Sequence, residues 1–155
     1  DHEEKGYWRD VGTIESFYNA HMDMLGEQPL LDLSNRRWTV HAASFKSPPS
    51  KIDNVSVENS LLGEGCTIKN ARIRNSIIGR SVTIDDGVEL DGAIVMDYTI
   101  IKRNCRIRHA IIDRFNTIEA DTKIGYDLAQ DKERYYVSPS GIVVLKRGPR
   151  RTFYW

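Results

Sequence analysis

The sequence has little that would tie it to a membrane, to nucleic acid or to a disulfide framework. It contains only two cysteines in 155 residues, fewer than a disulfide-stapled fold needs. No apolar run approaches the roughly 20 residues of a transmembrane helix. The charges of its 22 basic and 22 acidic side chains cancel. Nothing in this balance indicates electrostatic binding to nucleic acid or lipid. We therefore expect one domain, at most with an appendage, and neither kind of partner.

The two cysteines are predicted to be reduced. Cys66 and Cys105 lie 39 positions apart, each two residues before an aliphatic residue. A disulfide is not expected at such spacing, and buried thiols of a cytoplasmic protein fit better. The chain starts at Asp1 without a methionine or a signal peptide. Since residues 1–30 do not resemble the start of a domain, we expect a fragment or a processed piece.

Aliphatic residues recur every five or six positions between residues 52 and 124, and three such steps make a repeat of sixteen or seventeen residues. They form three columns: Ile52, Ile68, Ile84, Ile101 and Ile118; Val57, Ile73, Leu90, Ile107 and Ile124; and Leu62, Ile78, Val95 and Ile112. Such a period is typical of solenoids, and six-residue units indicate a parallel β-helix. Coils about 4.8 Å apart would stack each aliphatic residue on the next in its column. The pattern predicts a mainly β protein with a β-helix over residues 52–126.

The residue two positions before each aliphatic residue is mostly small, which suits the inside of a narrow triangular prism. This set consists of Val55, Ser60, Cys66, Ala71, Ser76, Val82, Val88, Ala93, Thr99, Cys105, Ala110, Asn116 and Thr122. The remaining positions are charged or turn-forming, and we expect them to face water. A β-sandwich is the alternative, but it predicts turn signals about every 8–12 residues and not three columns in phase.

The segments on either side of the repeat are predicted to differ from it. In residues 1–32, Thr13 is a candidate N-cap for a helix whose apolar face, running to Leu25, lacks a local partner. Residues 33–51 read as a linker. In residues 127–155, the charged segment Leu128–Arg134 precedes two strands joined by a turn at 138–141. This hairpin would cap one open end of the β-helix.

Residues 6–14, which read GYWRDVGTI, resemble a signature of the glucose-1-phosphate adenylyltransferases of bacteria and plants. Further segments match that family in the same order: residues 18–24 (YNAHMDM), 48–51 (PPSK), 111–114 (IIDR) and 140–144 (SGIVV). The first motif is specific, whereas hexapeptide units alone are not. The glycine-rich nucleotide loop and most of the sugar-phosphate pocket of the family lie in an upstream Rossmann-like domain. The resemblance implies that residues 1–32 are the last turn and helix of that domain.

The resemblance also implies the hand of the coil and the activity of the whole enzyme. Parallel crossovers are right-handed in about 98% of cases, but hexapeptide families coil to the left, and we expect a left-handed β-helix here. The family makes ADP-glucose and pyrophosphate from ATP and glucose-1-phosphate, and assembles as tetramers. We therefore expect a homo-oligomer in the cytoplasm, or in the plastid if the source is a plant.

Two pairs of site residues follow from the same resemblance. Asp10 would be the catalytic carboxylate that holds Mg²⁺, which takes oxygen ligands, and Trp8 would line the glucose-1-phosphate pocket. Arg114 and Arg147 would line a pocket for phosphorylated metabolite effectors, because guanidinium groups bind phosphate bidentately. The bland alternatives are that Asp10 caps a turn, that Trp8 packs on its domain, and that both arginines are solvated. Since Asp10 has no second carboxylate here, we expect the chain alone to be inactive.

Two other functions remain open from the sequence. Another sugar-1-phosphate nucleotidyltransferase, such as a mannose-1-phosphate guanylyltransferase, would also join a Rossmann-like domain to hexapeptide coils. The other is a stand-alone hexapeptide acyltransferase or a purely structural trimer. The acyltransferase would use a histidine as general base, and His109 is the candidate in the repeat. His109 takes the place of the corner residues Asn59, Asn75 and Gly92, which favours a structural role. The tail at residues 148–155 departs from the pattern of the glucose-1-phosphate adenylyltransferases, and the resemblance implies no role for it.

Overall fold

The computed structural model describes residues 12–26 and 48–149, which form a parallel β-helix with one helix on its side and a helix and hairpin at its end. Helix α1 spans Ile14–Met22 and helix α2 spans Leu128–Arg134. The strands are β1 (Lys51–Asp53), β2 (Ser56–Glu58), β3 (Leu61–Leu62), β4 (Thr67–Lys69), β5 (Arg72–Arg74), β6 (Ile77–Ile78), β7 (Thr83–Ile84), β8 (Glu89–Val95), β9 (Ile100–Ile101), β10 (Arg106–Ile112), β11 (Thr117–Ile118), β12 (Lys123–Ile124), β13 (Tyr136–Val137) and β14 (Val143–Leu145). Neither described helix is long and apolar enough to cross a membrane.

The strands stack into three faces, and the registers confirm the predicted columns. The first face runs β1-β4-β7-β9-β11 and aligns Ile52, Ile68, Ile84, Ile101 and Ile118. The second face joins β2, β5, the first halves of β8 and β10, and β12, and it aligns Val57, Ile73, Leu90, Ile107 and Ile124. The third joins β3, β6, the second halves of β8 and β10, and β14, and it aligns Leu62, Ile78, Val95, Ile112 and Leu145. The mainly β solenoid is thereby confirmed, while its left-handed sense stays a prediction.

The interior of the prism is apolar and closely packed from the second coil onward. Ile73, Ile84 and Ile107 are completely buried, as are the small residues Val82 and Ala93. In the first coil, by contrast, Ile52 keeps 49% of its surface exposed. Both predicted thiols are free and buried, and desolvation raises the pKa of each above the ordinary thiol value. The prediction of reduced cysteines is confirmed.

Corners of the prism use residues that tolerate left-handed backbone. Asn54 and Asn70 have φ of 53° and 48°, a conformation that asparagine adopts more readily than most residues. The Nδ2 group of Asn54 donates to Oδ1 of Asn70 at 2.7 Å, and Nδ2 of Asn70 donates to Asp86 at 2.8 Å. A ladder of side-chain hydrogen bonds therefore follows this corner from coil to coil. The predicted corner residues do face water, as their exposure shows.

The expectation that all other outward positions face water is wrong on the third face. Its outward column is aliphatic and consists of Leu61, Ile77, Ile94, Ile111 and Val144. Ile94 is 2% exposed and Ile111 is 5% exposed, because helix α1 lies on them. Exposing such an apolar column to water is unfavourable, and helix α1 removes Ile94 and Ile111 from water.

Helix α1 begins as predicted and finds a partner that the sequence did not reveal. Thr13 caps it, since its Oγ1 accepts from the backbone N–H of Ser16 at 3.0 Å. The helix ends at Met22 rather than at Leu25, which lies in the following turn. The apolar face that lacks a local partner is partly covered by the solenoid, because Tyr18 packs in one cluster with Ile94, Ile111 and Ile142.

The C-terminal hairpin continues the β-helix rather than merely lying on its end. Strands β13 and β14 pair antiparallel, and β14 pairs in parallel with β10, aligning Ala110 with Val143 and Ile112 with Leu145. Helix α2 is capped by Asp127. Its buried Asp131 accepts from the backbone N–H of Gly125 at 2.9 Å. The hairpin thus supplies one more rung to the third face.

Candidate functional site

Arg114 and Arg147 lie on consecutive rungs of one corner. Arg114 follows β10, and Arg147 follows β14, which is the next strand on the third face. The backbone N–H of Gly148 donates to the carbonyl of Arg114 at 2.8 Å, which holds the two arginine backbones side by side. The sequence separates them by 33 positions, and the register of β14 on β10 brings them together.

The floor of this corner is aromatic. The guanidinium of Arg147 lies 5.1 Å from the ring centroid of Phe115, within the range of a cation–π interaction. The Phe115 ring stacks on Tyr98 at 5.5 Å and 8° between planes. Phe115 is buried with φ of 61°. An aromatic floor fixes the direction of Arg147 while leaving its N–H groups available.

Hydrogen bonds to the neighbouring backbone keep the corner in shape. The amide of Asn116 donates to the carbonyl of Lys146 at 2.8 Å and to that of Asp113 at 2.9 Å. One carboxylate oxygen of Asp113 accepts from the backbone N–H of Arg114 at 2.7 Å. Asn116 thus ties the last rung of β10 to the end of β14. A rigid site favours binding, because less conformational entropy is lost when a ligand binds.

The two arginines of this corner differ from the paired arginines of the second face. On the second face, Arg74 pairs with Asp91 at 3.5 Å and Arg106 pairs with Glu89 at 3.7 Å. Within the described part of the chain, neither Arg114 nor Arg147 has a carboxylate within ion-pair distance. Lys146 adds a third exposed cation next to them. Two unpaired guanidinium groups on adjacent rungs can bind a phosphate group with several charge-assisted hydrogen bonds.

Sequence reasoning missed the residues that support the arginine pair. Phe115 and Tyr98 lie 17 positions apart at the same corner position of successive coils, where other coils have Ser81. The available signal in the sequence was an aromatic residue at the same corner position of two successive coils. Asn116 and Lys146 gave no such signal, because their contact depends on where β14 pairs.

The predicted Asp10 and Trp8 fall outside the described residues. They precede the N-cap Thr13 by three and five positions. Among the residues that the structure does describe, no group of three metal-ligating side chains could hold a metal ion.

His109 has a packing role. It lies at a corner with φ of 49°, and its ring meets Tyr18 edge-on at 5.0 Å. The hydroxyl of Tyr18 donates to the carbonyl of Gly92, one coil earlier, at 2.6 Å. A histidine held against a docked helix fits a structural role better than that of a general base.

Comparison with known proteins bears on these observations. The family model described as "GlmU-like, C-terminal hexapeptide" matches residues 43–145. The chain belongs to this hexapeptide family. It is also similar to proteins named glucose-1-phosphate adenylyltransferase: it is 42% identical over 149 residues to that of Thermodesulfovibrio yellowstonii, covering 96% of this chain and 36% of the relative. The Haemophilus influenzae relative is 38% identical over 144 residues, covering 90% and 33%.

A third relative, from Corynebacterium jeikeium, is 37% identical over 144 residues, covering 92% of this chain and 36% of the relative. The chain thus spans about a third of the length of the curated relatives that it matches, in their C-terminal part. The resemblance drawn from residues 6–14 and the later segments is confirmed by these similarities.

Proposed function

We propose that this chain is the C-terminal regulatory and oligomerisation region of an enzyme that makes ADP-glucose and pyrophosphate from ATP and glucose-1-phosphate, for glycogen or starch synthesis. The similarity to proteins named for this activity over at least 90% of the chain supports the proposal. The hexapeptide solenoid fits a structural and regulatory region. Its reduced, buried thiols are in keeping with a cytoplasmic location.

The chain contributes one short segment to the reaction. Asp10 would hold Mg²⁺ through a carboxylate oxygen, together with a second carboxylate outside this chain, and Trp8 would line the glucose-1-phosphate pocket. In such transfers the metal neutralises phosphate charge, and the protein mainly positions the reactants. Among the described residues, no group of three His, Cys, Asp or Glu side chains could hold the metal by itself.

The isolated chain is therefore expected to be inactive. Purified chain incubated with ATP, glucose-1-phosphate and Mg²⁺ should yield no ADP-glucose by anion-exchange chromatography. In the complete enzyme, Asp10→Asn should lower kcat by at least about 100-fold with little change in stability. ADP-glucose formation by the chain alone, or an unchanged kcat in the variant, would contradict this assignment.

Regulation is assigned to the Arg114–Arg147 corner, and the observation that carries it is the pair of guanidinium groups without a carboxylate partner. The expected ligands are phosphorylated metabolites. Each arginine that contacts a phosphate should contribute a charge-assisted hydrogen bond, so that Arg114→Ala raises the half-saturating effector concentration by about tenfold or more.

Arg103→Ala is the matched control. Arg103 is also an exposed corner arginine, but it lies between β9 and β10 on another corner of the prism. It should leave the effector response unchanged. Activation and inhibition curves that do not move in Arg114→Ala would remove the effector assignment without touching the catalytic one.

Oligomerisation is expected to produce a homotetramer of the complete enzyme. Sedimentation velocity of that enzyme should give a tetramer. A trimer formed by this chain alone would instead favour the stand-alone hexapeptide protein, in which three solenoids pack side by side.

A further inference from the structure

The C-terminal hairpin touches the beginning of helix α1. The hydroxyl of Ser140, in the hairpin turn, donates to Oε1 of Glu15 at 3.2 Å. Hydrogen bonds from Ser138 and Ser140 contribute to a lowered pKa of the Glu15 carboxyl. Two residues after Ser140, the side chain of Ile142 is 2% exposed and packs with Tyr18. A polar contact at the turn and an apolar one beneath it thus join the hairpin to the first turns of the helix.

The same hairpin leads directly to the arginine corner. Strand β14 ends at Leu145, and Arg147 follows two residues later on the Phe115 ring. Between turn and corner, β14 is held by its ladder to β10 on one side and β13 on the other. Strand β14 therefore connects the Arg147 corner with the Ser140 turn through paired backbone.

Helix α1 leads in the other direction to the segment with the proposed active-site residues. Glu15 is the second residue of the helix, and Asp10 precedes it by five positions. The helix is itself fixed to the solenoid by the Tyr18 hydroxyl on Gly92 and by the cluster on Ile94 and Ile111. Along the chain, Glu15 closely follows the segment proposed for catalysis, and its contact with Ser140 joins it to the hairpin that leads to Arg147.

We propose that Glu15 and Ser140 are positioning residues that transmit occupancy of the Arg114–Arg147 corner to the segment carrying Trp8 and Asp10. The inference rests on the proposed function. Coupling between two sites requires an element whose arrangement both sites affect. The hairpin is the candidate for this element, because its turn donates an exposed hydrogen bond from Ser140 to Glu15 while its strand β14 ends two residues before Arg147.

The first experiment tests the contact in the chain itself. Amide hydrogen exchange of residues 14–18 is measured in the wild type, Ser140→Ala and Ser140→Thr. Loss of the hydroxyl should speed exchange in the first turn of helix α1, and threonine, which keeps a hydroxyl, should restore the wild-type rate. Equal rates in all three chains would overturn the proposal, because the turn would then not hold the helix.

The second experiment tests coupling in the complete enzyme, with inorganic phosphate, a hexose bisphosphate and AMP as effector probes. Glu15→Ala and Ser140→Ala should each reduce the ratio of activated or inhibited to basal rate by about fivefold. The double variant should lose less than the sum of the two single losses, because both changes remove the Glu15–Ser140 contact, although Glu15→Ala also removes the hydrogen bond from Ser138. Direct binding of the probes and the basal rate should remain within about twofold of the wild type, while Glu15→Gln, which keeps an acceptor oxygen, should restore part of the response.

Glu119→Ala provides the matched control, since Glu119 is an exposed glutamate that accepts from Lys102 at 2.7 Å on another corner. It should keep the full effector response. Three results would overturn the coupling role. The ratio of activated or inhibited to basal rate could stay unchanged in both single variants, the losses could add in the double variant, or a fall in basal rate could account for the whole effect. A wild-type enzyme that makes no ADP-glucose or ignores all three probes would instead remove the proposed function, and this inference with it.

Discussion

The docking of helix α1 can be tested at Gly92 with a double-mutant cycle. Gly92 has φ of 66°, and its carbonyl accepts the Tyr18 hydroxyl at 2.6 Å. A Cβ added there would lie 2.8 Å from the Tyr18 Oη, closer than a carbon and an oxygen normally approach. Alanine at this position therefore strains the backbone and also pushes the helix away from its hydrogen bond.

The expected free-energy cost is the sum of these two effects. A left-handed backbone costs a non-glycine residue about 1 kcal/mol, and loss of the partly buried hydrogen bond costs about 1–1.5 kcal/mol. Gly92→Ala should thus lower the free energy of unfolding by about 2–2.5 kcal/mol, or Tm by roughly 4–10 °C for a chain of this size.

Tyr18→Phe keeps the ring but removes the hydroxyl, so Gly92→Ala in that background should cost only about 1 kcal/mol, the backbone part. Gly26→Ala is the control, since Gly26 has φ of 103° but an added Cβ there meets nothing within 4 Å; it should show a backbone cost that is independent of Tyr18. Urea unfolding followed by circular dichroism gives all the values. An equal cost of Gly92→Ala in both backgrounds would refute the proposed docking geometry.

Three further predictions concern the core, the docked tyrosine and the thiols. Ile107→Ala, at a completely buried position, should lower the unfolding free energy by about 2–5 kcal/mol, whereas Ile52→Ala, at a position that is 49% exposed, should cost clearly less in the same urea experiment. Burial, followed by the charge of Asp91, raises the pKa of Tyr18 to about 12 from an ordinary value of 10.0. The unfolded chain therefore loses the Tyr18 hydroxyl proton at a lower pH than the folded chain. The contribution of the neutral tyrosine to the free energy of unfolding should be fully present below pH 10 and should fall as the pH rises toward 12. The Tyr18→Phe variant should show less of this fall. Cys66 and Cys105 should react with a thiol reagent only after denaturation, because both are buried and their pKa values are raised; rapid labelling of the native chain would contradict their placement.

The solenoid could be predicted from the sequence because its period is local and repeated. Each aliphatic residue such as Ile73 predicts its neighbours Val57 and Leu90 on adjoining coils, and the strand registers agree. The hairpin was predictable for the same reason, since its turn and strands are contiguous. No comparable signal fixes the register between β14 and β10, so the proximity of Arg114 and Arg147 could not be worked out from spacing.

The partner of helix α1 was missed although the sequence holds a signal for it. Coils on the third face carry two successive aliphatic residues instead of one, as in Ile77-Ile78, Ile94-Val95 and Ile111-Ile112. Since neighbouring residues of a strand point to opposite sides, the first of each pair had to face outward. An outward aliphatic column indicates a covering element, and Gly92, where a side chain would strike Tyr18, marks where that element lies closest.

The exposed first coil has a consequence for shortened versions of this protein. Ile52 and Val57 lie at the edge of the stack, with 49% and 39% of their surfaces exposed. Removing that coil would expose Ile68 and Ile73 in their place. Deleting whole coils therefore moves the exposed apolar edge along the axis of the β-helix without abolishing it. A soluble shortened version would need polar side chains at the new edge. It could retain the surface on which helix α1 packs, because Ile94 and Ile111 belong to later coils.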